Sequence, residues 1–282
     1  LKATAKLMQG KTLDTVYIGG GTPTTLEADQ LDRLLGTIRE NFDLEHVLEF
    51  TVEAGRPDSI TREKLEVIRK YPVTRISVNP QTMQQKTLDL VGRKHTVEDV
   101  EQIFHLAREL GFDNINMDLI AGLPGEDAAD MQDTLEKIEK LHPDSLTVHA
   151  LAIKRAAKFG QEGRTMDPGS EITQMVEAAA ASAERMGLVP YYLYRQKNIA
   201  GNFENVGYAE QDKAGVYNIL IMEEKQAILA CGAGASTKRV WNEQNPDGSY
   251  RIERCENIKD VALYIEKIDE MIQRKEELFT EE

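Results

Sequence analysis

The sequence predicts an α/β fold in which the strands of a parallel sheet alternate with helices. Short apolar runs rich in β-branched and aromatic residues recur along the chain, and helical patterns fill most of the gaps between them. Strand and helix alternate at intervals of roughly 25 to 45 residues, which is typical of right-handed βαβ units around a parallel sheet. The runs predicted as strands are, in chain order, "DTVYIGG", "LEFTVEA", "VTRISVNP", "NINMDLIAG", "SLTVHALAI" and "VPYYLY".

The helices between these strands are predicted from apolar spacing and from signals at their ends. Thr96 followed by Asp99 can form a capping box, and Gly111 is suited to the end of the same helix. Apolar residues recur at helical spacing over 131–141 and over 172–186. Near-continuous apolar strands such as "NINMDLIAG" suit a sheet that helices cover on at least one face.

The alternation of strand and helix fails after about residue 197. We therefore predict a barrel domain over 1–197 and a small C-terminal extension, irregular and then α+β, over 198–282. The segment "NIAGNFENVGYAEQDKAG" is polar and rich in glycine, which favours an irregular structure. The Asp-Gly pair in "PDGSYRIERCEN" favours a tight turn, and residues 258–279 have the pattern of an amphipathic, charged helix.

Composition and charge exclude several classes of protein. The chain has 282 residues, of which 41% are hydrophobic and 29% are charged, as in soluble globular proteins. No run approaches the roughly 20 apolar residues of a membrane span. The net charge of −14 argues against a nucleic-acid partner, because phosphate contacts need a positive surface. Cys231 and Cys255 are too few for a disulfide framework and fit no common metal motif, so we expect a cytoplasmic protein.

Three consecutive glycines stand where the first predicted strand meets a helix, in "TVYIGGGTPTTLEADQLDRLL". Three glycines are entropically costly to order, so either the backbone takes unusual φ/ψ angles there or a ligand approaches it closely. The cluster matches neither the P-loop spacing nor the dinucleotide fingerprint. Amides and carbonyls exposed at such a turn can bind an amino or carboxylate group, so we predict a ligand site, with a tight turn as the alternative.

Polar residues recur where successive predicted strands end. Chemistry in parallel α/β folds collects at the carboxyl ends of the strands. A single polar residue there often only caps a loop, whereas a series across successive strands indicates a functional site. The members of this series are Gly19 to Thr22, Glu53, Asn79, Gln81, Asp118 and His149, with Arg93 between the third strand and the next helix.

The ordered motifs of residues 15 to 155 resemble the oxygen-independent coproporphyrinogen III oxidase group of radical S-adenosylmethionine (SAM) enzymes. The motifs are "IGGGTPT", "VEAGRPDSIT", "RISVNPQTM", "LVGRKHT", "INMDLIAGLPGE" and "HPDSLTVHALA". Each is weak alone, but the ordered set is highly specific. The segments "RQKNIAGNFENVGYA" and "GAGASTKRV" are most similar to the coproporphyrinogen dehydrogenase branch of the group.

This resemblance implies a partial, open (β/α)6 barrel of the TIM-like kind, with SAM across the strand ends beside a [4Fe-4S] cluster. One-electron reduction of SAM then yields methionine and a 5′-deoxyadenosyl radical that takes hydrogen from the substrate. The family holds its cluster with Cys-x-x-x-Cys-x-x-Cys upstream of the "GGGTP" turn, and this chain has no such motif. We therefore expect that the chain is truncated at its N-terminus, without the first strand and the cluster loop, and that it is inactive as it stands.

The resemblance also assigns cofactor contacts to individual residues. Gly20, Gly21 and Thr22 match contacts to the amino-acid portion of SAM, and Glu53 would offer its carboxylate to the same molecule. Contacts to a second SAM are matched by Gln81, Arg93, Asp118 and Ala152, and less securely by Ser236. The alternative for each residue is an ordinary structural polar contact.

The implied reaction converts propionates of coproporphyrinogen III into vinyl groups and gives protoporphyrinogen IX. The anionic substrate needs a local cationic patch, for which the candidates are Lys154, Arg155 and Lys158, supported by Arg195 and Lys197. An electron donor such as flavodoxin or ferredoxin would supply the reducing electron. The alternatives are a haem-binding chaperone of the same family and a radical SAM enzyme with another substrate, of which RNA fits poorly because of the charge.

Overall fold

The computed structural model describes residues 1–8, 10–151, 168–195 and 204–280, and it divides the chain into two compact units. The sheet unit comprises Thr15–Arg33 and Leu48–Val216. The hairpin unit comprises Leu1–Asp14, Leu34–Val47 and Tyr217–Glu282.

The sheet unit is built on one seven-stranded sheet with the order β1-β2-β3-β4-β5-β7-β6. Strands β1 to β5 are parallel to one another, whereas β7 is antiparallel to both β5 and β6. The strands are β1 (Thr15–Ile18), β2 (Glu49–Gly55), β3 (Arg75–Val78), β4 (Ile115–Ala121), β5 (Ser145–Ala150), β6 (Val189–Arg195) and β7 (Glu204–Ala209).

Helices connect the parallel strands, as the alternation of patterns predicts. The capping box of Thr96 and Asp99 is confirmed, since each side chain accepts a hydrogen bond from the other residue's backbone amide. Gly111, at φ +85°, follows the end of the same helix. The helices are α2 (Ala28–Asn41), which begins in this unit, α3 (Arg62–Arg69), α4 (Gln85–Leu90), α5 (Val97–Glu109), α6 (Ala128–Leu141) and α7 (Pro168–Arg185).

The parallel strands present two chemically different faces. Successive side chains of a strand point to opposite faces, and the strand register places residues of the same kind side by side. The outer face is apolar and buried, and includes Phe50, Val52, Ile76, Val78, Met117, Leu119, Leu146 and Val148. The inner face is polar, and includes Tyr17, Glu49, Thr51, Glu53, Arg75, Ser77, Asn116, Asp118, Ser145, Thr147 and His149.

The sheet is curled around its polar face. Burial is the main cause that raises the pKa of Tyr17 on β1 and of Tyr192 on β6, and the negative charge of Asp118 on β4 raises both further. In a flat sheet, β4 would stand about 14 Å from both β1 and β6 at the usual strand spacing. The charge of Asp118 acts on both tyrosines because the sheet bends towards its polar face. The predicted fold class, a partial (β/α)6 barrel, is confirmed.

One segment differs from its predicted structure. Residues 204–209 lie in the polar, glycine-containing segment predicted as irregular, but they form β7, paired with β5 and β6. Gly207 lies against the ring of Tyr192, where an added Cβ would be 1.9 Å from a ring carbon. The glycine is therefore needed for close packing within a strand. The boundary between 197 and 198 lies outside the described residues, so the predicted domain division stays a prediction.

The hairpin unit contains an antiparallel hairpin of β8 (Ser236–Gln244) and β9 (Tyr250–Glu256). The predicted Asp-Gly turn joins the two strands, and Gly248 has φ +83°. The helices of this unit are α1 (Lys2–Leu7), most of α8 (Val216–Glu223), α9 (Val261–Glu266) and α10 (Ile268–Thr280). Within the described ranges, no helix combines the length and apolar character that crossing a bilayer requires.

Candidate active site at the carboxyl edge of the sheet

The three glycines after β1 serve two different purposes. Gly19 lies against neighbouring side chains, because a Cβ there would be 2.4 Å from Cε1 of Tyr17 and 2.8 Å from Oε2 of Glu53. Gly20 and Gly21 have φ of +75° and +62°, the left-handed region that favours glycine. Among the described residues, no atom lies within 4 Å of a Cβ added at either glycine. The turn therefore combines unusual backbone angles with open space above its peptide groups.

Glu53 on β2 is held by two donors from the β1 side. The hydroxyl of Tyr17 donates to Oε1, and the amide of Gly20 donates to Oε2 at 3.1 Å. Burial, followed by the charge of Glu53, holds the pKa of Tyr17 well above its usual range, so the phenol remains protonated as the donor. The hydroxyl of Thr22 donates to the carbonyl of Gly21 at 2.7 Å and braces the same turn.

Asp118 lies on the same inner face, two strands further along. The side-chain amide of Asn116 donates to its Oδ1 at 2.7 Å, and Nε2 of His149 is 3.9 Å from its Oδ2. The register explains this proximity, since Asp118 pairs with Thr147 and Ile120 pairs with His149. Glu53 and Asp118 therefore face the same space, as the sequence analysis requires.

Gln81 lies beside Asp118 through its backbone. Its amide donates to the carbonyl of Asp118 at 3.0 Å, and its carbonyl accepts from the amide of Ile120 at 2.9 Å. Its φ of +70° departs from strand geometry, and its bridge partner is the outward-facing Leu119. Strand alternation therefore does not assign the Gln81 side chain to either face.

Arg93 lies in the loop before α5, on the carboxyl side of the sheet. Its half-buried guanidinium makes no hydrogen bond or ion pair with any described residue. Burial lowers the pKa of Arg93, and the positive charge of Arg56 adds to this effect. The Asp58 carboxylate nearby is already taken by Arg56, with contacts of 3.1 and 2.6 Å. Arg93 is therefore a cation available to an anionic ligand.

The inner face suits a ligand that carries a positive charge, a carboxylate and hydroxyl groups. The described side chains of β1 to β5 on this face include three carboxylates (Glu49, Glu53 and Asp118) and one guanidinium (Arg75). The negative balance favours a cation such as a sulfonium. At the rim, Oδ1 of Asn79 is buried and accepts no hydrogen bond from the described residues. These groups fit the sulfonium, ammonium, carboxylate and ribose of SAM.

The cysteines do not fit an iron–sulfur cluster. The chain has two cysteines, and Cys231 is exposed whereas Cys255 is buried. The described part of the chain contains no group of three or more His, Cys, Asp or Glu side chains that could hold a metal ion. Cluster ligands upstream of the "GGGTP" turn stay a prediction.

The remaining predicted contacts fall elsewhere. Ala152 and the cationic candidates Lys154, Arg155, Lys158 and Lys197 lie outside the described residues, and for Arg195 the structure describes only the strand position. Ser236 begins β8 in the hairpin unit, where its hydroxyl donates to Oε1 of Glu256 at 2.6 Å.

The sequence motifs did not identify the side chains that hold the predicted contacts in place. Tyr17 stood in an apolar run, and Asn116 stood in a strand described as near-continuously apolar. Alternation of polar and apolar residues over 49–54, 75–78, 115–118 and 145–149 is the signal that could have identified them, since it predicts a polar inner face.

A sheet curled around a polar face, with a glycine turn and acidic residues at its carboxyl edge, is the arrangement expected of a radical SAM domain. Residues 1–138 match the family model described as the radical SAM superfamily. The chain belongs to this superfamily, which implies SAM and a [4Fe-4S] cluster as cofactors.

Within the superfamily, the chain belongs with the coproporphyrinogen oxidase-like proteins. It is 45% identical over 272 residues to the oxygen-independent coproporphyrinogen-III oxidase-like protein HemZ of Bacillus subtilis, covering 94% of this chain and 53% of that protein. It is 34% identical over 231 residues to the heme chaperone HemW of B. subtilis, covering 79% and 56%. The chain thus spans about half the length of these two curated relatives.

A solved structure supports the fold. The coproporphyrinogen III oxidase HemN of Escherichia coli, a radical SAM enzyme, aligns with a TM-score of 0.70 at 21% sequence identity. The alignment covers 96% of this chain and 62% of that chain.

Proposed function

We propose that the protein carrying this chain is an oxygen-independent coproporphyrinogen III dehydrogenase. The substrate would lose a hydrogen atom from the β-carbon of a propionate to the radical that bound SAM supplies. It would then lose CO2 and pass one electron to an acceptor, which leaves a vinyl group. Repeating the reaction on a second propionate gives protoporphyrinogen IX. The observations that support the proposal are 45% identity to HemZ and the carboxylates of Glu53 and Asp118 on the inner face. Arg93, in a loop at the same edge, has no ion-pair partner among the described residues.

The proposed roles cover the glycine turn, Glu53, Asp118 and Arg93. The Gly20–Thr22 turn offers backbone groups to the ammonium and carboxylate of SAM, and Glu53 is held beside that turn by Tyr17 and Gly20. Asp118 would accept hydrogen bonds from the ribose of a second SAM, and Arg93 would pair with a SAM carboxylate. Bound SAM, reduced by one electron at a cluster, supplies the hydrogen-abstracting chemistry. The curled sheet contributes placement and the exclusion of water.

The substrate and the electron donor complete the proposal. Coproporphyrinogen III carries four propionates, and the inner face of the described strands is acidic, so cations outside that face must bind the substrate. Lys154, Arg155 and Lys158 follow β5 directly in sequence and are the proposed patch. A flavodoxin or ferredoxin in the cytoplasm would donate the electron.

A haem-binding chaperone is the second candidate function. The specific observation in its favour is 34% identity to the heme chaperone HemW over 79% of this chain. The two functions share the radical SAM domain and differ in what happens to the tetrapyrrole.

The test is a product assay on the full-length protein, purified without oxygen and supplied with SAM, a reductant and coproporphyrinogen III. We expect CO2 release and protoporphyrinogen IX, detected after oxidation by chromatography. Arg155→Glu should weaken binding of coproporphyrinogen III, whereas Arg185→Glu, on the outer helix α7, is the control. Tight haem binding without conversion of coproporphyrinogen III would instead establish the chaperone.

A further inference from the structure

A continuous hydrogen-bond network on the inner face ends at Asp118. Nη2 of Arg75 on β3 donates to the hydroxyl of Ser145 on β5 at 3.2 Å, and this hydroxyl donates to Oδ1 of Asn116 at 3.0 Å. The hydroxyl of Thr147 donates to the same oxygen at 3.2 Å. Asn116 then donates through Nδ2 to Oδ1 of Asp118 at 2.7 Å. Three strands thus contribute to the placement of one carboxylate.

The network fixes which way the Asn116 amide faces. The carboxylate of Asp118 only accepts hydrogen bonds, so the end of the amide that faces it must be the NH2 group, and the end that faces Ser145 and Thr147 must be the oxygen. Asn116 is 4% exposed, and Ser145 and Thr147 are equally shielded, so water does not compete with these contacts. Arg75, 3% exposed, fixes the Ser145 hydroxyl in turn.

The same contacts leave the second oxygen of Asp118 available. Oδ1 is occupied by Asn116, whereas Oδ2 makes no hydrogen bond within the described ranges and lies 3.9 Å from Nε2 of His149. A carboxylate anchored through one oxygen can offer the other in a fixed direction to a hydroxyl donor. Hydrogen bonds to a charged acceptor are stronger than those between neutral groups, so the direction of this oxygen affects the affinity for the ligand.

We propose that Asn116 is a positioning residue, which orients Asp118 to accept a hydrogen bond from a ribose hydroxyl of SAM. The inference rests on the proposed function only in that SAM is the ligand of this face. Neither an aspartate nor a leucine at this position could orient Asp118. An aspartate would lack the donor and place a second negative charge beside Asp118, and a leucine would leave the buried Ser145 and Thr147 hydroxyls without an acceptor.

The test compares Asn116→Asp with the wild-type full-length protein. The substitution keeps the volume and an oxygen that can accept from Ser145 and Thr147, and it replaces the donor to Asp118 with a second negative charge. SAM affinity is measured by equilibrium dialysis without oxygen, alongside the 2′-deoxy and 3′-deoxy analogues of SAM. We expect Asn116→Asp to weaken SAM binding about tenfold or more. At least one deoxy analogue should bind the wild type and the variant equally, because the contact to the missing hydroxyl is already lost.

Two further variants separate positioning from folding. Asn116→Ala should give the same pattern if Asn116→Asp fails to fold. Ser182→Ala removes a buried hydroxyl that donates to Glu139 between α6 and α7, and it should leave SAM binding unchanged. Equal losses for SAM and for both analogues would overturn the proposal, as would unchanged SAM affinity in a folded Asn116 variant. Neither result depends on coproporphyrinogen turnover, so failure here is distinguishable from failure of the proposed function.

Discussion

The hydroxyl of Tyr17 on β1 donates a hydrogen bond to the carboxylate of Glu53 on β2, whose other oxygen accepts from the amide of Gly20. One side chain on the inner face thereby joins the first two strands to the glycine turn. The pairing also explains the first glycine, since any Cβ at Gly19 would meet both partners.

Tyr17→Phe should weaken SAM binding about tenfold and lower the free energy of unfolding by about 1 kcal/mol, the usual contribution of one hydrogen bond. The ring remains, so packing is kept, but Glu53 loses one of its two donors. SAM dialysis and urea unfolding measure the two effects. A variant with reduced stability and unchanged SAM affinity would show that the Tyr17 contact is only structural.

Gly19→Ala and Gly20→Ala should differ in kind. Gly20→Ala places a side chain in open space at φ +75°, so it should cost roughly 1–2 kcal/mol of stability through backbone strain. Gly19→Ala forces Tyr17 and Glu53 apart, so we expect SAM affinity to fall more than tenfold. The measurements are urea unfolding and SAM dialysis on both variants. SAM affinity equal to that of the wild type in Gly19→Ala would contradict the close packing at Gly19.

Arg93→Ala should leave stability within about 0.5 kcal/mol of the wild type, because the guanidinium has no protein partner among the described residues. SAM affinity should fall at least tenfold, since the ligand loses its cationic partner. Arg62→Ala, which removes an exposed ion pair with Glu109 on the surface, is the matched control. If Arg93→Ala unfolds more easily and binds SAM normally, Arg93 is a structural residue.

Glu126→Gln should stabilise the sheet unit at pH 8 relative to the wild type. Glu126 is 1% exposed, and burial raises its pKa, against the effect of the Thr82 hydroxyl that donates to it at 2.6 Å. The folded state therefore binds the Glu126 proton more tightly than the unfolded state does. The stability that this proton contributes is fully present below the unfolded pKa of about 4.3 and is lost as the pH rises through the folded pKa.

Urea unfolding between pH 4 and pH 8 measures this difference. The gap between Glu126→Gln and the wild type should be near zero at pH 4 and on the order of 1 kcal/mol at pH 8. A gap that is constant with pH would show that Glu126 titrates alike in the folded and unfolded states.

Local signals were sufficient for much of the fold. The capping box at Thr96 and the glycine after α5 are read from neighbouring residues, and they define α5 closely. Motif order placed Glu53 and Asp118 on one edge, and the structure brings both to the inner face. Strand alternation could not predict whether Gln81 faces that space, because its left-handed backbone interrupts the alternation.

The missed features depend on contacts between distant parts of the chain. Tyr17 and Glu53 are 36 residues apart, and Asn116 and Ser145 are 29 apart, so only the strand register brings them together. Residues 204–209 look irregular because their neighbours are polar. Pairing with β5 and β6 satisfies their backbone groups and determines the strand instead.

The most direct test of the inner-face site is SAM binding to the full-length protein with both carboxylates changed, as Glu53→Gln with Asp118→Asn. Both substitutions keep the side-chain volume, and Ser182→Ala on the outer helices serves as the control. We predict that the double variant stays folded and binds SAM at least a hundredfold more weakly than the wild type. SAM affinity equal to that of the wild type in the folded double variant would contradict a cofactor site on this face of the sheet.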